Sequence, residues 1–229
     1  MPIIHDDEFG TITVRKTPRA TQVRIRVAPN GSLRASMPIY APLFLLKRLL
    51  KSSRLELRDM IQKARPQQRY EDGQKVGKSH TLIVQTAPKL SVRREGQRIV
   101  VGIPTGLSLQ DTAVDKEVRQ AVIAALRIEA KSYLPKRLAY IAQSKGFAYN
   151  KVRFSHAGSR WGSCSSQGTI SLNIALMKLP FELIDYVLIH ELAHTHHMNH
   201  SSAFWALVSA GDPDYKRHRA LLKAEDPSI

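Results

Sequence analysis

Residues 11–36 read as strands, and within them apolar and polar positions alternate with a period of two. Val23, Ile25 and Val27 interleave with Arg24 and Arg26, which gives a strand one apolar face and one basic face. Asn30-Gly31 then predicts a hairpin turn, because both residues tolerate positive φ. Leu33 and Ala35 continue the alternation on the return strand. After Pro38 and Pro42 the period lengthens: Leu46, Leu49, Leu50, Leu57 and Ile61 recur as one face of a helix over Leu43–Ala64. Pro66–Gly73 is polar and reads as a connection. Further strands are predicted at Thr81–Val84, Leu90–Arg93 and Ile99–Ile103, with a turn at Glu95-Gly96 between the last two.

Pro104–Ser108 reads as a domain boundary, so residues 1–108 are expected to form a basic, β-rich α/β subdomain and residues 109–229 a second domain. That second domain opens with a long helix predicted over Asp111–Ser144, where Pro135 disfavours continuity through its missing amide and ring clash. Strands at Val152–Phe154 and Thr169–Asn173 flank a Gly/Ser-rich stretch, Gly158–Gly168. Pro180 suits a helix start, and Phe181–His197, Ser201–Val208 and Tyr215–Ala224 read as helices. The fold class expected from this order is α+β.

Composition narrows the function classes. The chain has 229 residues and is 43% hydrophobic, enough for a sizeable core. Its longest apolar runs, such as Tyr186–Ile189, fall far short of the roughly 20 residues of a membrane span. The polar, acidic start has no apolar stretch of the kind a signal peptide carries. The single cysteine, Cys164, allows no intrachain disulfide. Both observations fit a cytoplasmic protein.

Charge is more distinctive. Lys plus Arg number 35 against 19 Asp plus Glu, a net +16, and residues 1–110 carry 20 basic and 8 acidic residues, net +12. A field of that sign attracts an anionic partner such as a nucleotide or nucleic acid; a solvated surface that aids solubility is the plainer alternative.

The candidate chemistry lies in His190-Glu191-Leu192-Ala193-His194. On a helix, residues four apart sit one turn above one another, so both imidazoles can reach one ion. Zinc accepts such a pair, needs at least one more protein ligand, and leaves a position for water. Glu191 is placed to take a proton from that water. Three histidines compete as third ligand. His197 on a continuous helix would be strung along the axis, whereas a tetrahedral ion wants converging ligands. His200 becomes available if the helix ends near His197 and Met198-Asn199 turns, Asn tolerating the left-handed conformation often found there. His200 is therefore ranked first, giving the H-E-x-x-H-x5-H spacing of zincins whose chain turns back to the metal. A later Glu or His is the main competitor. The plainer readings are a His-rich surface helix, or a structural site closed by a fourth ligand such as Cys164.

Arg160-Trp161-Gly162-Ser163-Cys164, Ile170-Ser171-Leu172-Asn173, the His190–His194 motif, Met198-Asn199-His200-Ser201 and Phe204-Trp205 together resemble the YgjP-like metallopeptidases, relatives of the SprT and Wss-type proteases. Asp214-Tyr215-Lys216 resembles the family's closing segment. The resemblance covers nearly the whole chain, is most specific from Arg160 to Trp205, and is looser in the front half. It implies a zincin-like catalytic domain, with a metal-binding helix beside a small sheet, using Zn2+ to hydrolyse a peptide or protein. In such folds a strand can take up an extended peptide by β-augmentation, and Thr169–Asn173 is the candidate neighbourhood. Arg160 and Asn173 are the candidate substrate-binding residues, although an arginine in this position can equally pin a loop to the core. Tyr215 is a candidate oxyanion stabiliser, or else a core cap. Trp161 and Trp205 read as packing residues and Cys164 as a small buried one.

Two other functions stay open on the residues alone. A basic face beside a Lewis acid also suits a phosphoanhydride, as in a metal-dependent nucleotide pyrophosphatase, although no P-loop glycine pattern is present. A basic protein docking on nucleic acid through the Arg24/Arg26 face is the third.

Overall fold

The alternating front segment forms strands as its pattern predicts. In the computed structural model, which describes residues 3–18, 20–27, 32–64 and 70–229 (side chains of 62–64 excepted), β1 (Ile3–Asp6), β2 (Gly10–Lys16), β3 (Arg24–Val27) and β4 (Leu33–Met37) lie in the order β1-β2-β4-β3. β2 and β4 are parallel and the other pairs antiparallel. The turn expected at Asn30-Gly31 lies outside the described residues, as does the start of the Pro66–Gly73 connection. β1 has no counterpart in the sequence reading. Ile4 is its one buried apolar residue, and Asp6 closes the following turn by accepting the amides of Glu8 and Phe9.

The helix expected over Leu43–Ala64 is two, α1 (Leu43–Ser52) and α2 (Arg54–Ala64). The Ser52 hydroxyl bonds the Leu49 carbonyl, the amide of Ser53 bonds the same oxygen, and Ser53 leaves helical geometry. Leu46, Leu50 and Leu57 still face one core, shared with Ile12, Val14, Leu33 and Met37. Arg54 and Arg58 pair with Asp6 and Glu8 at the β1–β2 turn.

The chain divides into two compact units, Met1–Gln67 and Gln68–Ile229. The boundary expected at Pro104–Ser108 therefore falls inside the second unit. The reason is a shared core. β5 (Lys75–Val76), β6 (His80–Thr86), β7 (Ser91–Glu95) and β8 (Arg98–Ile103) form a sheet in the order β5-β6-β8-β7. Leu82, Ile99 and Val101 of that sheet pack with Val114, Val118 and Val122 of α3 (Thr112–Lys145). A short polar loop with Pro and Gly separates sequence neighbours without separating their apolar faces.

α3 runs unbroken through Pro135. A proline inside a helix costs about 3 kcal/mol, but Leu126, Ala130, Leu134, Leu138, Ile141 and Ala142 are all buried on either side of it, and their burial outweighs one lost hydrogen bond. The helix ends at Gly146, whose φ of 73° takes the left-handed cap.

α3 also locks the β5–β6 turn. Glu129 is buried and accepts the amides of Lys78 (2.6 Å) and Ser79 (2.9 Å), the Ser79 hydroxyl (2.7 Å) and His80 Nδ1 (2.6 Å). Burial raises its pKa, but these donors outweigh burial and hold the carboxyl below its ordinary range. Gly77, at φ +63°, is required here because a Cβ would sit 2.2 Å from Glu129 Oε2.

A third sheet combines β9 (Lys151–Ser155), β10 (Gly162–Cys164) and β11 (Thr169–Asn173) in the order β10-β11-β9. β11 runs parallel to β9 and antiparallel to β10. A 3-10 segment, Ile174–Lys178, leads into α4 (Phe181–Ala193), α5 (Ser202–Gly211) and α6 (Tyr215–Leu222). The fold is α+β, with a helix carrying the H-E-x-x-H motif beside a small sheet. No helix among the described residues is long and apolar enough to cross a membrane.

Candidate metal centre

α4 is held in place by its apolar side. Leu183, Ile184, Val187, Leu188, Leu192 and Ala193 are all buried. The helix starts after Pro180, as its sequence predicts, but ends at Ala193 with His194 as its cap, four residues before the expected His197. Thr195 explains the early stop. Its amide and its hydroxyl both reach the Leu192 carbonyl, at 2.9 and 2.7 Å, and the His196 amide reaches Ala193 at 3.1 Å. These i to i−3 bonds tighten and close the last turn. The chain then reverses through Met198-Asn199 without the left-handed Asn that was expected: among the described residues only glycines have positive φ. α5 restarts at the cap residue Ser201, whose hydroxyl accepts the Phe204 amide.

The reversal brings three imidazoles together. Ring centroids of His190, His194 and His200 are 4.9, 5.1 and 4.8 Å apart, close to an equilateral triangle. One ligand nitrogen from each lies within 4.8 Å of the others. The Nε2 atoms of His190 and His200 are 3.2 Å apart; an ion with tetrahedral bonds of about 2.0–2.1 Å holds its ligand atoms about 3.3 Å apart. His194 donates Nδ1–H to the His197 carbonyl at 3.0 Å, which turns its Nε2 lone pair inward. Burial first, then the neighbouring histidines and Arg219, push the pKa of His190 down to about 3, and burial with His194 and Arg219 lowers that of His200. His190 and His200 thus favour the neutral imidazole with a lone pair, which suits a cation. His197 contributes its carbonyl rather than its ring.

Glu191 sits on the sheet side of α4, only 5% exposed, and its Oε2 has no hydrogen-bond partner. Burial pushes its pKa up to about 8, against the opposing charge of Arg160. β10 meets it through Gly162, where an added Cβ would lie 2.6 Å from Oε1 and 2.8 Å from Cγ. The absence of a side chain at 162 makes room for the carboxylate. Burial and the Glu191 charge together raise the Cys164 thiol, and Cys164 does not join the histidine cluster.

The remaining expected residues fall in different places. Arg160 is exposed, with its charge reaching Glu191. Asn173 is fully buried, so its expected substrate contact is replaced by a scaffold role. Its Nδ2 donates to the carbonyls of Ala157 (2.6 Å) and Arg160 (2.9 Å), and its Oδ1 accepts the Ala175 amide. Asn173 therefore ties the loop before β10 to the sheet. β11, the expected neighbourhood for an added strand, is the central strand, and the edge nearest Glu191 belongs to β10. Tyr215 stacks on Trp205 (5.5 Å), which stacks in turn on His200 (5.6 Å).

Phe204 escaped a functional reading. It is fully buried, and its ring lies 5.0, 4.5 and 4.7 Å from those of His190, His194 and His200, forming the floor that fixes their orientation. The Ser cap three residues before it was the legible signal. Tyr186, one turn before His190, lies 6.0 Å from that ring, and Arg219 lies 4.7 Å over Trp205. Asp212 and His218 pair at 2.7 Å behind them.

A family model described as YgjP-like, metallopeptidase domain, matches residues 21–225. Among solved structures, the metallopeptidase zymogen abylysin of Pyrococcus abyssi is 29% identical over 42% of this chain and 98% of its own, with a TM-score of 0.36. The zymogen jannalysin of Methanocaldococcus jannaschii is 19% identical over 40% of this chain and 96% of its own, with a TM-score of 0.34. No curated protein matches the chain. The match of the family model covers most of the chain, which belongs to the YgjP-like metallopeptidase family.

Proposed function

We propose that this YgjP-like metallopeptidase domain hydrolyses peptide bonds with a zinc ion held by His190, His194 and His200 and with Glu191 as general base. One observation carries the reading: three lone-pair nitrogens converge beside a buried carboxylate that has a free oxygen. Three protein ligands are the number used by catalytic zinc sites, whereas structural sites are closed by four. Bound there, zinc would supply a Lewis acid for the scissile carbonyl and a water acidified toward a pKa of about 7.

The chain's own residues do the rest. Glu191 accepts the proton of the attacking water on its carboxylate and returns it to the leaving amine nitrogen. Its burial favours the protonated intermediate state that the second transfer starts from. The peptide lies extended along the outer edge of β10, which among the described residues pairs only with β11. Arg160 orients it near Glu191, and the Tyr215 hydroxyl donates to the developing oxyanion.

The test is metal content and hydrolysis measured together. Wild type should carry near-stoichiometric zinc and cleave an unstructured protein such as casein; His190→Ala/His194→Ala should lose both; Glu191→Gln should keep zinc and lose cleavage. Full activity in metal-loaded Glu191→Gln would sink the mechanism. Arg160 and Arg219 favour one competing reading, phosphoanhydride hydrolysis, because both place positive charge at the site. Nucleoside triphosphates assayed on the same preparations decide between the two.

A further inference from the structure

The sheet of the first unit has one covered face and one open one. Ile12, Val14, Leu33 and Ala35 point into the core with Leu46, Leu50 and Leu57. Residues between them in each strand point the opposite way. These are Thr13 and Arg15 on β2, Arg34 and Ser36 on β4, and Arg24 and Arg26 on β3. The register sets Arg26 beside Arg34 and Arg34 beside Thr13; one step along, Arg24 lies beside Ser36 and Ser36 beside Arg15. Arg15, Arg24, Arg26 and Arg34 are all exposed. Strands about 4.8 Å apart therefore carry four guanidinium groups in one block.

Such a block is unfavourable by itself. Like charges directly opposite one another on neighbouring strands destabilise a sheet. Two of the unit's carboxylates, Asp6 and Glu8, are already engaged by Arg54 and Arg58, and Glu56 lies on α2, which packs against the covered face. The groups are arginines, whose planar forks suit phosphate. No aromatic residue lies among these positions, so the face offers charge without a platform for stacked bases. The flat, regular spacing suits a continuous line of phosphates rather than one ion.

We infer that this open face binds nucleic acid through its phosphate backbone, without regard to sequence. The inference is independent of the peptidase reading, because it rests on the register and charge of β2, β3 and β4 alone.

The test uses the full chain and a fluorescent 20-base-pair DNA duplex, with a second duplex of scrambled sequence. Anisotropy titrations from 50 to 300 mM salt should give equal affinities for both duplexes. The variant Arg15→Gln/Arg24→Gln/Arg26→Gln/Arg34→Gln should bind at least about tenfold more weakly, with a log–log salt slope shallower by about 3 to 4, as each lost phosphate contact removes about 0.9. A variant matched in net charge, Lys47→Gln/Lys51→Gln/Lys116→Gln/Lys131→Gln, should stay within about threefold of wild type. Thermal melts of each variant confirm that it is folded, and four Arg→Lys changes should retain most of the salt slope. Equal loss in the charge-matched variant would overturn the inference in favour of diffuse attraction. So would the absence of duplex binding at 50 mM salt, or binding of anionic phosphatidylserine vesicles in preference to DNA through the same arginines.

Discussion

Glu129 and Glu191 are both buried glutamates on helices of the second unit, 7% and 5% exposed, and both have histidine neighbours. They have opposite environments. Glu129 accepts two amides, a hydroxyl and an imidazole N–H, and its carboxyl is held below the ordinary range. Glu191 has an oxygen without a partner, faces a glycine, and has its pKa pushed up to about 8. The first arrangement fixes a charge permanently and so fastens a turn to a helix. The second leaves a carboxylate uncompensated, which is destabilising in a resting fold and useful where a proton must be taken up and released. Burial alone does not separate the two carboxylates; the count of donors does.

Five substitutions sharpen that contrast. Glu191→Gln should reduce peptide hydrolysis by about 10²–10⁴-fold and leave the melting temperature unchanged or raised, since it replaces a buried carboxyl that has an unpartnered oxygen with a neutral group of the same size; a destabilised variant would mean Glu191 is a structural group like Glu129. Glu129→Ala should do the reverse, costing about 3 kcal/mol of stability while the folded fraction keeps its metal and turnover, as read by denaturant unfolding and single-turnover assay.

Because the folded-state pKa of Glu129 is depressed, its contribution is fully present above its ordinary pKa of 4.5 and is lost as pH falls through the folded value. Glu129→Gln should therefore flatten the stability profile below about pH 4.5; a profile parallel to wild type would remove this assignment. Gly162→Ala should displace the Glu191 carboxylate and lower hydrolysis by about tenfold or more, for a cost of about 1–3 kcal/mol of stability, with zinc content unchanged. Tyr215→Phe should give the smallest effect, a several-fold loss in kcat with KM nearly constant, the signature of a bond made only in the transition state.

The contrast also separates what could be read early from what could not. H-E-x-x-H on α4 is a local statement: a spacing of four residues on a helix brings two imidazoles to one side whatever surrounds them. The strands β6, β7, β8 and β11 and the helices α4 to α6 followed from periodicity in the same way. His200 needed one further step, since its approach depends on where α4 stops; bonds from Thr195 and His194 in the turn bring His200, rather than the His197 ring, into the histidine cluster. Pro135 and Ser53 show the same dependence. Propensity favoured a break at the first and continuity at the second, and packing on both sides of α3 and hydroxyl competition at Ser52 reversed each.

Sequence by itself determined the α+β class, the basic alternation of Val23–Val27 and the histidines available to a metal, because each depends on residues close together along the chain. Only the tertiary structure decided that Asn173 is scaffold, that Phe204 is the floor beneath the three imidazoles, that β5–β8 share a core with α3, and that one buried glutamate is saturated while another is free. These depend on contacts between residues far apart along the chain, such as His80 with Glu129 or Gly162 with Glu191. Local periodicity fixes which way a side chain points on its own element, and the partner it meets there is set by the packing of the elements against one another.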